Sequence, residues 1–478
     1  MKVTFVKVYL LIFVLSLTGC ASSSVWTNYP DQAQEYRAVI VNNVDEDTED
    51  LLKSLANERD SADKILYTLE RARVAQLTNN ISESKLAFEQ VIQDFNSADE
   101  EAKIKLRDGV SQFSAVVTND NSIPYTGTAY DRIFSHHSQA LNYWMEGDTE
   151  GAAVEFRRAA EEHSILLDVA KANEIDAMST AEEKGFQESS DSFAKKMASK
   201  MAMAKIAENI RNTLENPYTY FTSGAFWESE GDFDDARIDY NKALELSPNN
   251  TLLEESIERV ANRQATSNKG SVVILYEQGF VPAIHQNKYY LPTPYGVVAM
   301  ALPVYKESNW ASLSELGVSV KDDTVYTHGL TNFGALGVKH LDDKYDAVVA
   351  RQGVRAVAKG AALFSARELS RRAPLAGAIA MASLSIYNVM SESADRRSWL
   401  TLPAYAQAVR IEMDTGENVL SLYKKKIRLN IRENKTTFVK FVVVSEQGKE
   451  RIITNIFNGE GEVIIDDVSE NSNKQEKE

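Results

Sequence analysis

The stretch Gly231-Asp232-Phe233-Asp234-Asp235-Ala236, running on to Tyr240, Ala243 and Pro248, decides how the N-terminal half is read, because its spacing recurs upstream. Ala140, Tyr143, Gly147, Asp148, Ala152, Phe156 and Ala159 stand at the same intervals as Gly224, Trp227, Gly231, Asp232, Ala236, Tyr240 and Ala243. Small residues at facing positions let two helices approach closely, and larger ones would splay them. The pattern predicts a helical hairpin in each copy, turning at Gly-Asp. A degenerate copy lies further upstream, where Asn79-Asn80-Ile81 replaces Gly-Asp-Phe and Ser84, Phe88 and Val91 fall at the places of Ala236, Tyr240 and Ala243.

Outward from these copies, residues 32–94 repeat apolar positions at three- and four-residue spacing, through Leu51, Leu52, Leu55, Ile65, Leu66, Leu69, Ala72 and Ala75, as helices do. A helical insertion at 164–212 separates the second and third copies. Past Ser267-Asn268-Lys269-Gly270 the pattern shortens to strand-like runs at 272–276, 296–302 and 316–320. Helices are expected at 345–369 and from Pro374 to Met390, then a β-meander at 404–413, 419–431, 437–445, 452–457 and 463–465. The charge-free run 373–390 is short for a bilayer and interrupted by Ser383, Ser385 and Asn388, so it reads as a core helix of the C-terminal domain.

The 478 residues carry 69 acidic against 52 basic side chains, a formal charge of -17. That balance argues against a nucleic-acid partner, whose phosphates are bound through Lys and Arg. His136-His137 is the only close histidine pair, and adjacent helical positions point about 100° apart, so the two cannot clasp one metal from a rigid helix. The sequence contains no His-Glu-x-x-His, phosphate-binding loop or Gly-x-Ser-x-Gly elbow. No catalytic residue, metal or cofactor is expected.

Lys2, Lys7 and the apolar run 8–17 read as a secretion signal, and Leu17-Thr18-Gly19-Cys20 resembles the bacterial lipobox. The resemblance implies acylation of Cys20 with palmitate-type chains, a durable membrane anchor. Ala21 after the cysteine implies sorting to the outer membrane, with the chain facing the periplasm. Cys20 is the sole cysteine, so the fold has no internal disulfide.

The hairpin copies resemble the tetratricopeptide repeat, including a closing proline in Leu246-Ser247-Pro248-Asn249. In that family first-helix positions line a concave groove. Matching them places Phe134, His137, Leu141, Trp144, Met145, Tyr218 and Phe221 there, either as an aromatic surface suited to an extended peptide or partner helix, or as side chains that bury against the insertion 164–212. The family's clamp for chaperone carboxylates is not implied, because His137 and Leu141 occupy its Lys and Asn positions. Pro124-Tyr125-Thr126-Gly127, Tyr130-Asp131-Arg132, Ala140-Leu141-Asn142-Tyr143 and the run Ala394-Asp395-Arg396-Arg397-Ser398-Trp399-Leu400-Thr401-Leu402-Pro403 are similar to signatures of a little-characterised group of Gram-negative repeat-containing lipoproteins. That group brings no activity with it. Locally, Asp395 could pair with the arginines while Trp399 fills a core.

The expected fold is α+β and multidomain: signal peptide 1–19, lipidated tether 20–30, tetratricopeptide-like α-solenoid 31–266, α+β domain with a β-meander 267–466 and a disordered tail 467–478. The expected function is an outer-membrane-anchored periplasmic lipoprotein that scaffolds an envelope protein partner and regulates peptidoglycan synthesis. The alternative is an envelope enzyme or ligand-binding protein with its site near Asp395, Arg396 and Trp399.

Overall fold

The computed structural model describes residues 29–107, 121, 123–162, 203, 205, 208, 210, 213, 216–262, 268–293, 296–306, 314–390 and 392–464. Cys20, most of the expected insertion and the tail beyond 464 lie outside the described residues. Helices come first: α1 (Tyr29–Asn42), α2 (Asp45–Asn57), α3 (Lys64–Leu77), α4 (Ile81–Arg107), α5 (Ala129–Met145), α6 (Thr149–Glu161), α7 (Pro217–Glu230), α8 (Phe233–Leu246) and α9 (Thr251–Asn262). The turn residues account for their pairing. Gly231 ends α7 at φ +85°, a conformation that disfavours a β-carbon, and Asp232 caps α8 by accepting from the Asp235 amide at 3.3 Å. A β-carbon on Gly224 would lie 2.8 Å from the Tyr240 ring and 3.2 Å from the Ala236 carbonyl, which is how closely α7 and α8 cross.

The α5–α6 pair repeats this device with Gly147 at φ +82° and Asp148 accepting from the Gly151 amide at 2.8 Å. In α3–α4, Asn79 takes the glycine's place at φ +64°, which Asn tolerates better than most residues, and the Ser84 hydroxyl donates to the Ala72 carbonyl at 2.9 Å. Ala140, Ala152, Ala236 and Ser84 are all fully buried.

Two sheets follow. The first has strand order β11-β10-β1-β7-β6, from β1 (Lys269–Phe280), β6 (His328–Asn332), β7 (Pro403–Asp414), β10 (Thr436–Glu446) and β11 (Lys449–Phe457). The second has order β12-β9-β8-β4-β5, from β4 (Gly317–Val320), β5 (Asp323–Tyr326), β8 (Gly416–Leu422), β9 (Lys425–Ile431) and β12 (Glu460–Ile464). β2 (His285–Thr293) and β3 (Gly296–Val304) form a separate hairpin. The expected meander is therefore corrected. β10 leaves β9 to pair in parallel with β1, and β12 returns to pair with β9. The run 419–431 is two strands joined at Tyr423-Lys424.

The first sheet is buried on both faces. Val272, Ile274, Tyr276, Val409, Ile411, Val439 and Phe441 pack against Leu420, Leu422, Ile427 and Leu429 of the second sheet. On the other face Val273, Leu275, Ala406, Ala408, Phe438 and Val442 share one core with the helices from Tyr29 to Val260. The molecule is thus layered as helices, sheet, sheet. The change of hydrophobic period near residue 268 marks a change of layer while the hydrophobic core continues across it.

A long helix, α10 (Phe333–Arg372), precedes α11 (Pro374–Met390). α10 starts earlier than its apolar spacing suggested, because Asn332 caps it by accepting from the Ala335 amide at 2.9 Å. Its first turns pack with β3 through Leu302, Val338, Leu341 and Tyr345. α11 corrects the expectation of a core helix: Leu375 is 76% and Ile379 51% exposed. Among the described residues no helix is long and apolar enough to cross a membrane.

Candidate functional site

The expected groove residues converge, and the sheet of the same chain occupies the space in front of them. Phe134, His137, Leu141, Trp144, Tyr218 and Phe221 are at most 2% exposed, and Met145 packs against the same core. The Trp144 ring lies 4.2 Å from Phe438 on β10 and 5.1 Å from Phe457 on β11, centroid to centroid. Phe134 meets Phe333 at 4.8 Å and Trp399 at 5.9 Å. An open partner groove at these positions is therefore corrected to an internal interface. The physical reason is that one face of the first sheet and the inner face of the helices are both largely apolar, and burying them together removes both from water.

A polar network runs through this interface. On β1, Glu277 is fully buried and accepts from the Arg73 guanidinium of α3, with Lys440 Nζ of β10 at 3.7 Å and the Tyr218 hydroxyl at 3.4 Å. Burial would raise the Glu277 pKa, but Arg73 and Lys440 bring it down to about 2. Burial dominates at Lys440 and lowers it to about 8, despite the attraction of Glu277. Lys440 also donates to Gln76 at 3.1 Å, and Gln76 donates to Asn142 at 2.7 Å, so the sheet is tied to α3 and α5.

The adjacent histidines behave oppositely. His137 stacks on Phe134 at 5.0 Å and lies 4.9 Å from Tyr218, and neither ring nitrogen has a hydrogen-bond partner among the described residues. Burial lowers its pKa to about 3, with Glu277 pulling upward and Lys440 and Arg73 pushing down. His136 is also buried, but hydrogen bonds to Glu155 at 2.6 Å and to Glu162 outweigh burial and raise its pKa. Among the described residues no group of three His, Cys, Asp or Glu side chains could hold a metal ion.

The segment 394–403 clasps the helices. Glu70 of α3 accepts from the Leu400 amide at 2.7 Å, the Thr401 hydroxyl at 2.5 Å and the Tyr29 hydroxyl at 2.6 Å. Arg37 of α1 donates to the carbonyls of Leu400 and Val281. Trp399 is fully buried, 6.1 Å from Phe88, and Pro403 opens β7. Asp395 pairs with Arg397 at 2.7 Å, and Arg397 also bonds Asp63. Arg396 and Arg397 line a small hollow, open to solvent, with Tyr29, Asp63, Tyr67 and Asn121. The other signature, 124–132, builds the start of α5: Thr128 and Asp131 form a capping box, the Tyr125 hydroxyl donates to Asp131 at 2.7 Å, and Arg132 forks onto Asp99.

Residue patterns alone missed Glu70, Arg73, Glu277 and Lys440. A signal was available: Glu70, Arg73 and Gln76 recur every third residue among the apolar positions Leu66, Leu69, Ala72 and Val74 of α3, and Lys440 interrupts the strand run Phe438 to Val444. At the repeat position shared by Leu86, Val154 and Ile238, two residues past Ser84, Ala152 and Ala236, the side chains of α4, α6 and α8 face outward. They are 60%, 41% and 55% exposed. No protein-family model, curated protein or solved structure matches the chain.

Proposed function

We propose that the chain is a lipid-anchored scaffold of the bacterial outer membrane, facing the periplasm, and that it docks an envelope protein through the outer face of its helical layer. The address rests on the lipobox-like Leu17-Thr18-Gly19-Cys20 and on Ala21, and the helical pairs are read as tetratricopeptide-like from their seven matched positions. Control of peptidoglycan synthesis is the specific role inferred, by analogy of architecture and address. The observation that carries the docking surface is the exposure of Leu86, Val154 and Ile238 at one equivalent position of three hairpins. The inner face is not offered for docking, because Phe438 and Phe457 cover it. The Asp395 region is read as structural, since Arg397 donates to both the Asp395 and the Asp63 carboxylates.

Two experiments test the reading. Metabolic labelling with a clickable palmitate should mark the wild-type chain and leave Cys20→Ala unmarked; equal labelling of both would remove the anchor. Photoreactive side chains at positions 86, 154 and 238 in intact cells should capture one common peptidoglycan synthase. That capture should vanish in a Leu86→Glu, Val154→Glu, Ile238→Glu chain with an unchanged thermal midpoint. Absence of any protein adduct at all three positions would sink the scaffold reading.

A further inference from the structure

The α10–α11 hairpin is fixed at its base and apolar beyond it. At the base Lys359 pairs with Glu392 at 2.5 Å, and the first turns of α10 are held by β3. Within the hairpin Leu363 and Ala366 are buried, and α11 crosses so near that a β-carbon on Gly377 would overlap the Ser370 backbone. The outer surface is unusual for a soluble protein: Leu375 is 76%, Ile379 51%, Tyr387 48%, Val357 46% and Phe364 43% exposed. Leu375 and Ile379 stand one turn apart on the same stripe of α11.

The charge of the hairpin opposes that of the chain. Residues 333–392 hold eight Lys and Arg side chains against Asp342, Asp343, Asp346, Glu368 and Glu392, a local excess of three positive charges in a chain of formal charge -17. Glu392 pairs with Lys359, and Glu368 with Arg371 at 2.6 Å. Arg367, Arg371 and Arg372 are exposed at the tip, next to Leu375. Exposed apolar side chains beside clustered arginines match the boundary between acyl chains and anionic headgroups, where each basic residue strengthens binding about fivefold. At about 1.5 Å per residue, the 17 residues of α11 fall short of a hydrocarbon core of roughly 30 Å. A second copy docking the same face would bring two cationic tips together, a repulsion that an anionic surface replaces with attraction.

We propose that the α10–α11 hairpin is a membrane-surface docking element: it lies in the interface of an anionic bilayer, with Leu375 and Ile379 in the acyl boundary and the tip arginines at the phosphates. It makes a second membrane contact that does not depend on acylation of Cys20. It also orients the molecule on the bilayer, since α10 starts directly after β6 and its first turns pack on β3.

Cys20 is the only cysteine, so Cys20→Ala provides a chain in which a single environment-sensitive fluorophore can be placed at will. The fluorophore is attached to Leu375→Cys, to Ile379→Cys or, as a control, to Val419→Cys on β8, which is 43% exposed in the wild type. With vesicles of phosphatidylcholine containing phosphatidylglycerol, both hairpin probes should shift to the blue and be quenched by nitroxide-bearing lipids, while the control stays unchanged. Pure phosphatidylcholine should leave all three unchanged. Arg371→Ala with Arg372→Ala should weaken the titration by roughly 25-fold while the circular dichroism is retained. The proposal is overturned if the hairpin probes fail to respond to anionic vesicles, or respond no more than the control, which would mark tethering by another segment. A blue shift without vesicles that grows with protein concentration would assign the face to a second copy instead.

Discussion

His137 lies between Phe134 and Tyr218, its ring nitrogens unbonded among the described residues, so its burial favours the neutral imidazole. Between pH 6.5 and about 3 the unfolded chain binds a proton that the fold refuses, and stability therefore falls as pH falls through that window. His136 has the opposite sign: its raised pKa gives stability that is full below pH 6.5 and is lost as pH rises through the folded value. His137→Phe should fold and flatten the decline of the thermal midpoint from neutral pH to pH 4, measured by calorimetry; a decline as steep as wild type would show that His137 is not buried neutral. Glu277, held at about 2, contributes stability present above pH 4.5 and lost below it. Replacing it by Gln leaves Arg73 and Lys440 without their buried counter-charge and should cost about 3–5 kcal/mol in denaturant unfolding. Little of this was legible, because a Glu at the end of an apolar strand run and an Arg on a helix stripe reveal a partnership only when the topology brings β1 beneath α3.

Among the elements, the hairpins were the most legible, since small residues at fixed intervals record how closely two helices cross. Gly224→Ala should therefore cost about 1–3 kcal/mol, as its methyl meets the Tyr240 ring and the Ala236 carbonyl; a neutral effect in thermal unfolding would contradict the close crossing. The β8–β9 turn was not legible, because Tyr423 adopts φ +51° where Asn or Gly would advertise a turn. α11 misled for a different reason. Its composition is that of a core helix, and composition does not say whether protein or another apolar phase covers it.

For the whole molecule, the hairpin at Gly231 is tied to the sandwich through Glu228, which accepts from Arg259 of α9 and from Arg410 of β7. Burial would raise the Glu228 pKa, but the hydrogen bonds from Arg259 and the charge of Arg410 hold it below the ordinary range. The same joining recurs along the layer, at Glu277 with Arg73 and at Glu70 with Leu400 and Thr401. The period change near residue 268 made the helices and strands legible as two regions. Their union was hidden, because each face alone reads as an exposed binding surface. The central claim is that the inner face of the helices is closed by the chain's own sheet. A double-mutant cycle between Trp144→Leu and Phe438→Leu, read by equilibrium unfolding, tests it directly. Rings 4.2 Å apart in one core should couple by about 0.5–1.5 kcal/mol, whereas effects that add with no coupling would mean that the sheet does not fill the groove.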